Sequence, residues 1–398
     1  MSSIQQTQKP VEVIHPSNLP ESADPKIVAK ALDHLVNEST EHNHNVNHTI
    51  HAPLHKLKDL PDNVREKLKE YVPGLEKLAN DYHIGNFVAM RSGERFFETM
   101  PIYPRLGMHL LFYGGTQVKI LHNHTVESTL KDLSIRQGKA YDSPASVKSI
   151  PSFIHTYSIK LDELLEPDLA TYKTFNDFFS RKLKPDARPV QNESDPAGFC
   201  SAADCRLVVY ENISHATRLW IKGNKFTISH LLGLPEDAER IKAFEGGSVA
   251  SFRLAPADYH RFHSPLDGTI DDILDVPGEY YTVNPQAVNE PGFDVFTENK
   301  RSILYMTHSR SGLPVAIVAI GAMLVGSIRW TGGYQRGTAI KRGEELGYFA
   351  YGGSTVIVLF PKGLIKFDDD LVTNSQVPIE TLMKVGYSIG RSLIPPEI

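Results

Sequence analysis

The sequence has few of the features that mark secreted, membrane-spanning or nucleic-acid-binding proteins. It holds two cysteines, Cys200 and Cys205, too few for a disulfide framework and, as two thiols alone, not a structural zinc site. Its formal net charge of -5 comes without a long basic run, which argues against a nucleic-acid partner. These absences predict a protein of a reducing compartment that binds no nucleic acid.

Targeting and membrane-spanning signals are also missing. The N-terminus lacks the charged-then-apolar pattern of a signal peptide. The longest apolar run, Leu313 to Ile328, is interrupted by Gly321 and Gly326 and is shorter than the roughly 20 residues that a spanning helix needs. We therefore expect a cytoplasmic protein, with peripheral contact to an endomembrane left open.

Length and pattern divide the chain into three parts. Its 398 residues exceed what one hydrophobic core usually serves. Residues 1–60 form a polar extension expected to be partly disordered, and residues 61–190 are expected to be a helical region with a segment that could face a membrane. Residues 191–398 carry short β-rich runs between Gly, Pro, Asn and Asp; the main runs are Leu207 to Tyr210, Val249 to Leu254, Thr269 to Val276, Ile303 to Met306, Val315 to Ile320 and Val356 to Phe360.

The expected fold class is α+β, an N-terminal helical region followed by a mainly β catalytic domain. Two pieces of the β-rich part, Pro265 to Ile270 and Gly337 to Gly347, are typical of the two halves of a barrel-sandwich hybrid. The domain should therefore have barrel-sandwich-hybrid-like character, although a fold of this kind says nothing about chemistry.

Two segments of the N-terminal half allow opposite interpretations. Histidine pairs spaced by four, such as His44 with His48, could hold a metal on a helix face. No carboxylate or thiol completes a set, so a solvated segment is favoured. The apolar, arginine-bearing segment Met100 to Tyr113 fits a membrane interface and a core helix equally well.

The residues that could carry chemistry are Asp204, His260, His263 and Ser354. Ser354 follows Gly352 and Gly353 between two apolar runs, where a hairpin turn is the ordinary interpretation. An Asp, a His and a Ser can supply orienter, base and nucleophile. Ser354 is not in a Gly-x-Ser-x-Gly elbow, which disfavours an α/β-hydrolase. Spacing alone leaves the choice open.

Blocks of sequence in a fixed order decide between a hairpin turn and a reactive serine at Ser354. From about Glu98 onward the chain resembles the pyruvoyl-dependent phosphatidylserine decarboxylase family, its eukaryotic type II branch in particular. It departs from longer members of that branch in showing no added calcium-dependent lipid-binding module ahead of the catalytic part. The resemblance is carried by Lys173 to Phe179, Lys182 to Pro189, Ala202 to Arg206, Arg218 to Gly223, Phe252 to His263, Tyr281 to Pro285, Phe296 to Arg301, Gly321 to Ser327 and Gly352 to Thr355.

The resemblance implies a proenzyme that cuts itself between Gly353 and Ser354. Ser354 would attack the Gly353 carbonyl, and elimination and hydrolysis would convert it into a covalent pyruvoyl cofactor, leaving α and β chains from one precursor. By the same resemblance His263 is the base of this processing, Asp204 its acidic partner, and His260 the proton donor of turnover. No metal is implied.

The implied reaction is decarboxylation of phosphatidylserine to phosphatidylethanolamine. One alternative keeps the pyruvoyl group in a soluble decarboxylase of a free amino acid. Another is a Ser-His-Asp hydrolase that acts on other molecules and keeps its own chain intact. A homodimer remains open.

Overall fold

The computed structural model describes residues 26, 85–99, 124–214, 226–279, 281, 294–322, 328–350, 354–377 and 379–394. Several sequence-based expectations lie outside these residues. They are the histidine-rich segment at residues 42–55, the apolar segment Met100 to Tyr113, and Gly353 on the upstream side of the expected cleavage. Ser354, Asp204 and both histidines of interest are described.

Strands dominate the described chain and concentrate after residue 197. They are β1 (Gly85–Ala89), β2 (Arg95–Thr99), β3 (Gly198–Cys200), β4 (Cys205–Tyr210), β5 (Ser248–Leu254), β6 (Arg261–His263), β7 (Gly268–Val276), β8 (Arg301–His308), β9 (Pro314–Gly321), β10 (Ile328–Trp330), β11 (Ala339–Ile340), β12 (Glu345–Phe349), β13 (Ser354–Phe360), β14 (Ile365–Phe367), β15 (Glu380–Met383) and β16 (Ser388–Ser392).

Ten strands form one sheet in the order β11-β7-β8-β9-β13-β5-β4-β15-β1-β2. Strand β13 lies inside it, antiparallel to both β9 and β5. Its residues Ser-Thr-Val-Ile-Val-Leu-Phe are buried on both faces, as expected for β-branched and apolar residues in a central strand. The start of β13 is therefore enclosed by neighbouring strands.

Two three-stranded sheets accompany the large one. Their orders are β10-β12-β6 and β14-β16-β3. The two pieces expected to be halves of a barrel-sandwich hybrid meet directly, because Ala339 of β11 pairs with Thr269 of β7. No sheet among the described residues closes into a barrel. The α+β class with a mainly β region is confirmed.

Three of the described helices lie between β2 and β3, and the other four, each of four to eight residues, lie among the later strands. The helices are α1 (His124–Tyr141), α2 (Ile150–Tyr157), α3 (Phe175–Phe179), α4 (Ile228–Leu232), α5 (Glu239–Lys242), α6 (Val295–Glu298) and α7 (Asp369–Gln376), with 3-10 turns at Pro144–Ser149 and Leu169–Thr171. Thr174 caps α3 through a capping box with Asp177. In the described part of the chain, no helix is long and apolar enough to cross a bilayer.

Two hydrophobic clusters divide the described residues. The smaller contains Tyr141, Phe153 and the three phenylalanines of α3. The larger contains the inner face of the sheet, from Phe199 to Ile389. Helix α3 and the residues just after it connect the small cluster to the β region.

The hairpin β1–β2 lies inside the segment that the sequence predicts to be helical. Strand β1 pairs in parallel with β15, Val88 lying opposite Glu380. Arg91, in the turn, donates to both carboxylate oxygens of Asp370 at 2.8 Å and to Asp368 at 2.9 Å. The partners that make this segment a strand are therefore almost 300 residues away in the chain.

Candidate active site

Ser354 is the first residue of β13 and is completely buried. It lies opposite Leu254 of β5 and Gly321 of β9. Its side chain is on the same face as Val356 and Val358, which belong to the large hydrophobic cluster. The environment of this serine is apolar and excludes solvent, so its hydroxyl depends on a protein partner for hydrogen bonding.

That partner is His260. The Ser354 Oγ lies 3.4 Å from His260 Nδ1, at the long end of the range for a hydrogen bond. His260 is also completely buried. The contact joins residues 94 positions apart in the sequence.

A proline turn sets the position of His260. After β5 ends, the Asp258 N–H donates to the Ala255 carbonyl at 2.9 Å, with Pro256 at the second turn position, where its fixed φ is favourable. The Asp258 carboxylate accepts from the Ala255 N–H at 2.7 Å. This closed turn places His260 immediately before β6, and its carbonyl accepts the Phe349 N–H at 3.0 Å.

The hydrogen bonds of the His260 ring define its tautomer. Nε2 lies 3.0 Å from the Ala255 carbonyl, and because a carbonyl can only accept, Nε2 carries the proton. Burial, and next the charge of Arg181, lower the pKa of His260 to about 3. The ring is therefore neutral near pH 7, and the lone pair of Nδ1 is directed at the Ser354 hydroxyl.

His263 has the opposite arrangement. Its Nδ1 donates to the Gly343 carbonyl at 2.9 Å, and its Nε2 accepts from the Tyr259 hydroxyl at 3.1 Å. Burial is the main cause that lowers the pKa of His263, while the hydrogen bond to Gly343 and the charges of Glu345 and Asp204 act to raise it. The two ring nitrogens thus contact Gly343 and Tyr259 rather than Ser354.

Asp204 lies just before β4 and is held by an arginine. Arg188 donates to Asp204 through Nε at 2.9 Å and through Nη2 at 2.6 Å, and the Val385 N–H donates to Oδ1 at 2.9 Å. Although burial lowers the pKa of Arg188, its hydrogen bonds to Asp204 raise it above the usual value. Arg188 also pairs with Glu163 at 2.9 Å.

The structure thus brings together two of the four expected residues in direct contact, Ser354 and His260. Asp204 acts on His263 through its charge while its oxygens are bound to Arg188 and Val385. The predicted roles of all four stay predictions.

Three further residues belong to this surrounding and were not singled out from the sequence. Arg188 binds Asp204, Tyr259 binds His263, and Arg181 lies beside the His260 turn. Arg188 and Tyr259 are in sequence blocks that carry the resemblance, whereas Arg181 lies between two of these blocks. The blocks were therefore the available signal for Arg188 and Tyr259, because spacing alone gives no pairing, and they did not mark Arg181.

The arrangement favours chemistry on the chain itself. A hydroxyl beside a neutral imidazole lone pair can lose its proton to that ring when it acts as a nucleophile. Ser354 is sealed in the sheet, whereas a serine that attacks free substrates is reached from a cleft. Among the described residues, no group of three His, Cys, Asp or Glu side chains could hold a metal ion.

Comparisons with known proteins give the class of this fold and site. The family model described as "Phosphatidylserine decarboxylase" matches residues 175–391. "Phosphatidylserine decarboxylase proenzyme 3" of Schizosaccharomyces pombe is 45% identical over 305 residues, which are 77% of this chain and 31% of that protein. "Phosphatidylserine decarboxylase proenzyme 2" of Oryza sativa subsp. japonica is 48% identical over 301 residues, 74% of this chain and 47% of that protein.

A bacterial relative is covered almost completely. "Phosphatidylserine decarboxylase proenzyme" of Fusobacterium nucleatum is 34% identical over 304 residues, which are 76% of this chain and 96% of that protein. The chain belongs to the phosphatidylserine decarboxylase family. It spans less than half the length of the yeast and rice relatives that it matches.

Proposed function

We propose that this protein is a self-processing, pyruvoyl-dependent decarboxylase that converts phosphatidylserine to phosphatidylethanolamine. The observation that carries the proposal is the contact between Ser354 Oγ and His260 Nδ1, 3.4 Å apart at a buried strand start. Family membership supplies the reaction, since relatives over the matched region are named phosphatidylserine decarboxylase proenzymes.

The first step of processing is an acyl shift within the chain. Ser354 Oγ adds to the Gly353 carbonyl carbon while its proton passes to a base, the peptide C–N bond breaks, and the nitrogen takes up a proton. Loss of the Ser354 Cα proton and cleavage of Cβ–Oγ release the Gly353 carboxylate. This elimination leaves a double bond between Cα and Cβ of residue 354. Cβ takes up a proton to become a methyl group, which leaves an imine at Cα, and water hydrolyses that imine to a ketone with release of ammonia, so that residue 354 becomes a pyruvoyl group.

The residues around Ser354 fit the formation of such a group. A fully buried serine has little competing water, and a neutral imidazole lone pair lies against its hydroxyl. The resemblance assigns the base to His263 with Asp204, while the direct contact with the Ser354 hydroxyl favours His260. We keep His263 as the assignment, and variants of the two histidines decide between them.

A pyruvoyl group supplies an electron sink for the bond to the departing carboxylate. In turnover, the role of His260 is to transfer a proton to the substrate bound at residue 354. Because burial lowers the pKa of His260 to about 3, the ring is neutral at rest near pH 7. It can therefore pass on only a proton that Nδ1 has just taken up, and in the proposed reaction that proton goes to the carbon that has lost carbon dioxide.

The substrate of this proposal is a membrane lipid, so the protein must meet a lipid surface. The segment proposed for that contact, Met100 to Tyr113, lies outside the described residues. A free amino acid is the competing substrate. Peripheral membrane contact and a homodimer both stay proposals.

The experiment combines mass analysis with a substrate comparison. Under denaturing conditions the purified protein should give two chains, one of them spanning residues 354–398 and carrying the pyruvoyl group. Ser354→Ala should give one intact chain. Processed protein should release carbon dioxide from phosphatidylserine vesicles and not from free serine.

Each result has a distinct meaning. An intact wild-type chain would overturn self-processing and would favour a hydrolase that acts on other molecules. Two chains with carbon dioxide from serine alone would keep the pyruvoyl chemistry and overturn the lipid substrate. Ser354→Cys is the matched variant, because it keeps a nucleophile at the same position and should process more slowly rather than not at all.

A further inference from the structure

The last residue of helix α3 and the two residues after it contact His260, its neighbour Arg261 and the turn that precedes them. The Phe179 ring lies against the His260 ring with centroids 4.0 Å apart. The Ser180 carbonyl accepts from Arg261 Nε at 2.8 Å. Arg181 Nη2 donates to the Ala257 and Asp258 carbonyls at 3.2 and 3.1 Å. This short segment therefore covers one side of the His260 turn.

Arg181 is buried without an ion-pair partner among the described residues. Its exposed fraction is 4%, its side chain donates hydrogen bonds to the backbone carbonyls of Phe179, Ala257 and Asp258, and its Nε has no hydrogen-bond partner in the described part of the chain. A buried cation of this kind is costly. Burial lowers the pKa of Arg181 to about 10, so the side chain is still charged near pH 7.

The neighbouring carboxylates are bound to other arginines. Asp204 pairs with Arg188, and Asp258 pairs with Arg206. Both carboxylates attract Arg181 by charge, but neither lies within ion-pair distance of it. The positive charge of Arg181 is thus only partly balanced at the place where it meets the His260 turn.

Two charged groups act on the His260 ring. Arg181 is the stronger, and Arg206, on β4, is the weaker and is paired with Asp258. The ring also contacts three uncharged groups: the Phe179 ring, the Ala255 carbonyl and the Ser354 hydroxyl. Arg181 is therefore the residue whose removal should change the charge state of His260 most.

We propose that Arg181 is a positioning residue of the active site. Its guanidinium holds the Ala255–Asp258 turn by two carbonyls, and its charge adds to the effect of burial in keeping the His260 ring neutral, with the Nδ1 lone pair directed at Ser354. The use of that lone pair in catalysis rests on the function proposed above, while the effect of Arg181 on the ring does not.

The sign of the effect follows from electrostatics. A nearby cation disfavours the protonated form of an imidazole, so loss of the Arg181 charge should raise the pKa of His260 toward its ordinary value near 6.5. At a mildly acidic pH a larger fraction of His260 would then be protonated and unable to accept a proton at Nδ1. Arg181→Lys keeps the charge and should keep the ring neutral.

The test uses the Ser354→Ala precursor, whose chain should be uniform whether or not the wild type processes itself. Histidine rings labelled with ¹⁵N report tautomer and protonation by NMR, and His260 is assigned by the signal lost in His260→Gln. In the Ser354→Ala background, His260 should stay a neutral Nε2–H tautomer down to about pH 5. Adding Arg181→Met should move its titration upward by at least about one pH unit.

A matched control is available in Arg301. This arginine is buried to the same extent, and its hydrogen bonds also end on carbonyls, those of His230, Leu231, Thr297 and Asn299. Arg301→Met should leave the titration of His260 unchanged. If Arg181→Met fails to fold, Arg181→Gln, whose amide can still donate to the Ala257 or Asp258 carbonyl, tests the charge alone.

The outcomes separate this inference from the proposed function. An unchanged His260 titration in the folded Arg181→Met or Arg181→Gln protein would overturn the inference, as would an equal shift in Arg301→Met. A shift confined to the neutral Arg181 variants would support it even if the wild-type chain never cleaved. If the chain does cleave, the neutral Arg181 variants should also lose decarboxylation activity at a higher pH on the acid side of the profile, by the same shift as the titration of His260.

Discussion

His260 and His263 occupy one short sequence block, yet the structure gives them opposite surroundings. In His260 the proton is on Nε2 and the Nδ1 lone pair meets Ser354. In His263 the proton is on Nδ1 and the Nε2 lone pair meets the Tyr259 hydroxyl. In a helix, two histidines three residues apart would lie on one face. In an extended segment, the same spacing places their side chains on opposite sides.

The comparison teaches that the block supplies two different imidazoles. One is sealed against the nucleophile, and the other is linked to an acidic centre through the charge of Asp204. Two proton-transfer steps, one in processing and one in turnover, can therefore be carried by separate rings. Variants that alter one ring at a time should separate these steps.

The largest expected effect is in the paired substitutions His260→Gln and His263→Gln. By our assignment, His263→Gln should slow the formation of the 354–398 fragment by about 10² to 10⁴-fold, the usual contribution of a general base. His260→Gln should still form the fragment and lose decarboxylation by a similar factor. Fragment formation by mass analysis and carbon dioxide release by the processed protein measure the two effects.

The reversed pattern has a clear meaning. Loss of processing in His260→Gln, with normal processing in His263→Gln, would transfer the role of processing base to His260, as the 3.4 Å contact favours. His155→Gln is a control for the substitution itself, because this histidine is on α2 and outside the site. It should change neither readout.

The next effect concerns Asp204, one of the carboxylates that act on His263 by charge. Asp204→Asn should slow processing by about 10²-fold, because a histidine base that becomes a cation loses the carboxylate that stabilises it. It should also lower the free energy of unfolding by up to about 3 kcal/mol, since Arg188 is left buried with a weaker partner. Fragment formation and chemical denaturation measure the two changes.

Glu163→Gln is the control for this substitution. Glu163 is the other carboxylate on Arg188, at 2.9 Å, but it is more exposed than Asp204 and also pairs with Lys384 at 3.6 Å. Its loss should cost less than about 1 kcal/mol and leave processing unchanged. Equal slowing in both variants would assign the effect to Arg188 and its surroundings rather than to Asp204.

Much of the fold was predictable because periodicity and composition act locally. The expected β-rich runs, from Leu207 to Tyr210 through Val356 to Phe360, lie within β4, β5, β7, β8, β9 and β13. Hairpin β1–β2 was not predictable in the same way. Its pairing with β15 and the binding of Arg91 to Asp368 and Asp370 join distant parts of the chain.

The site, too, has a part that the sequence predicts and a part that depends on contacts between distant residues. Blocks shared with the family pointed to Ser354, His260, His263 and Asp204. They did not say which histidine meets Ser354, because that depends on which carbonyl each ring finds, Ala255 for His260 and Gly343 for His263. A turn and a strand pairing bring those carbonyls into place, and neither is encoded in the spacing of the histidines.

The smallest effect is expected for loss of the Tyr259 hydroxyl, which donates a hydrogen bond to the Nε2 lone pair of His263. Tyr259→Phe removes a donor 3.1 Å from Nε2, and a hydrogen bond of this kind contributes about 0.5 to 1.5 kcal/mol. Because it stabilises the neutral ring, its loss should raise the pKa of His263 by about half a unit to one unit. The acid limb of the processing rate should move upward by the same amount, while Tyr172→Phe, which loses a hydroxyl bonded to the Glu166 carbonyl, should show no shift. If instead Tyr259→Phe shifts the acid limb of decarboxylation and leaves that of processing in place, His263 acts in turnover, and the roles of the two rings are exchanged.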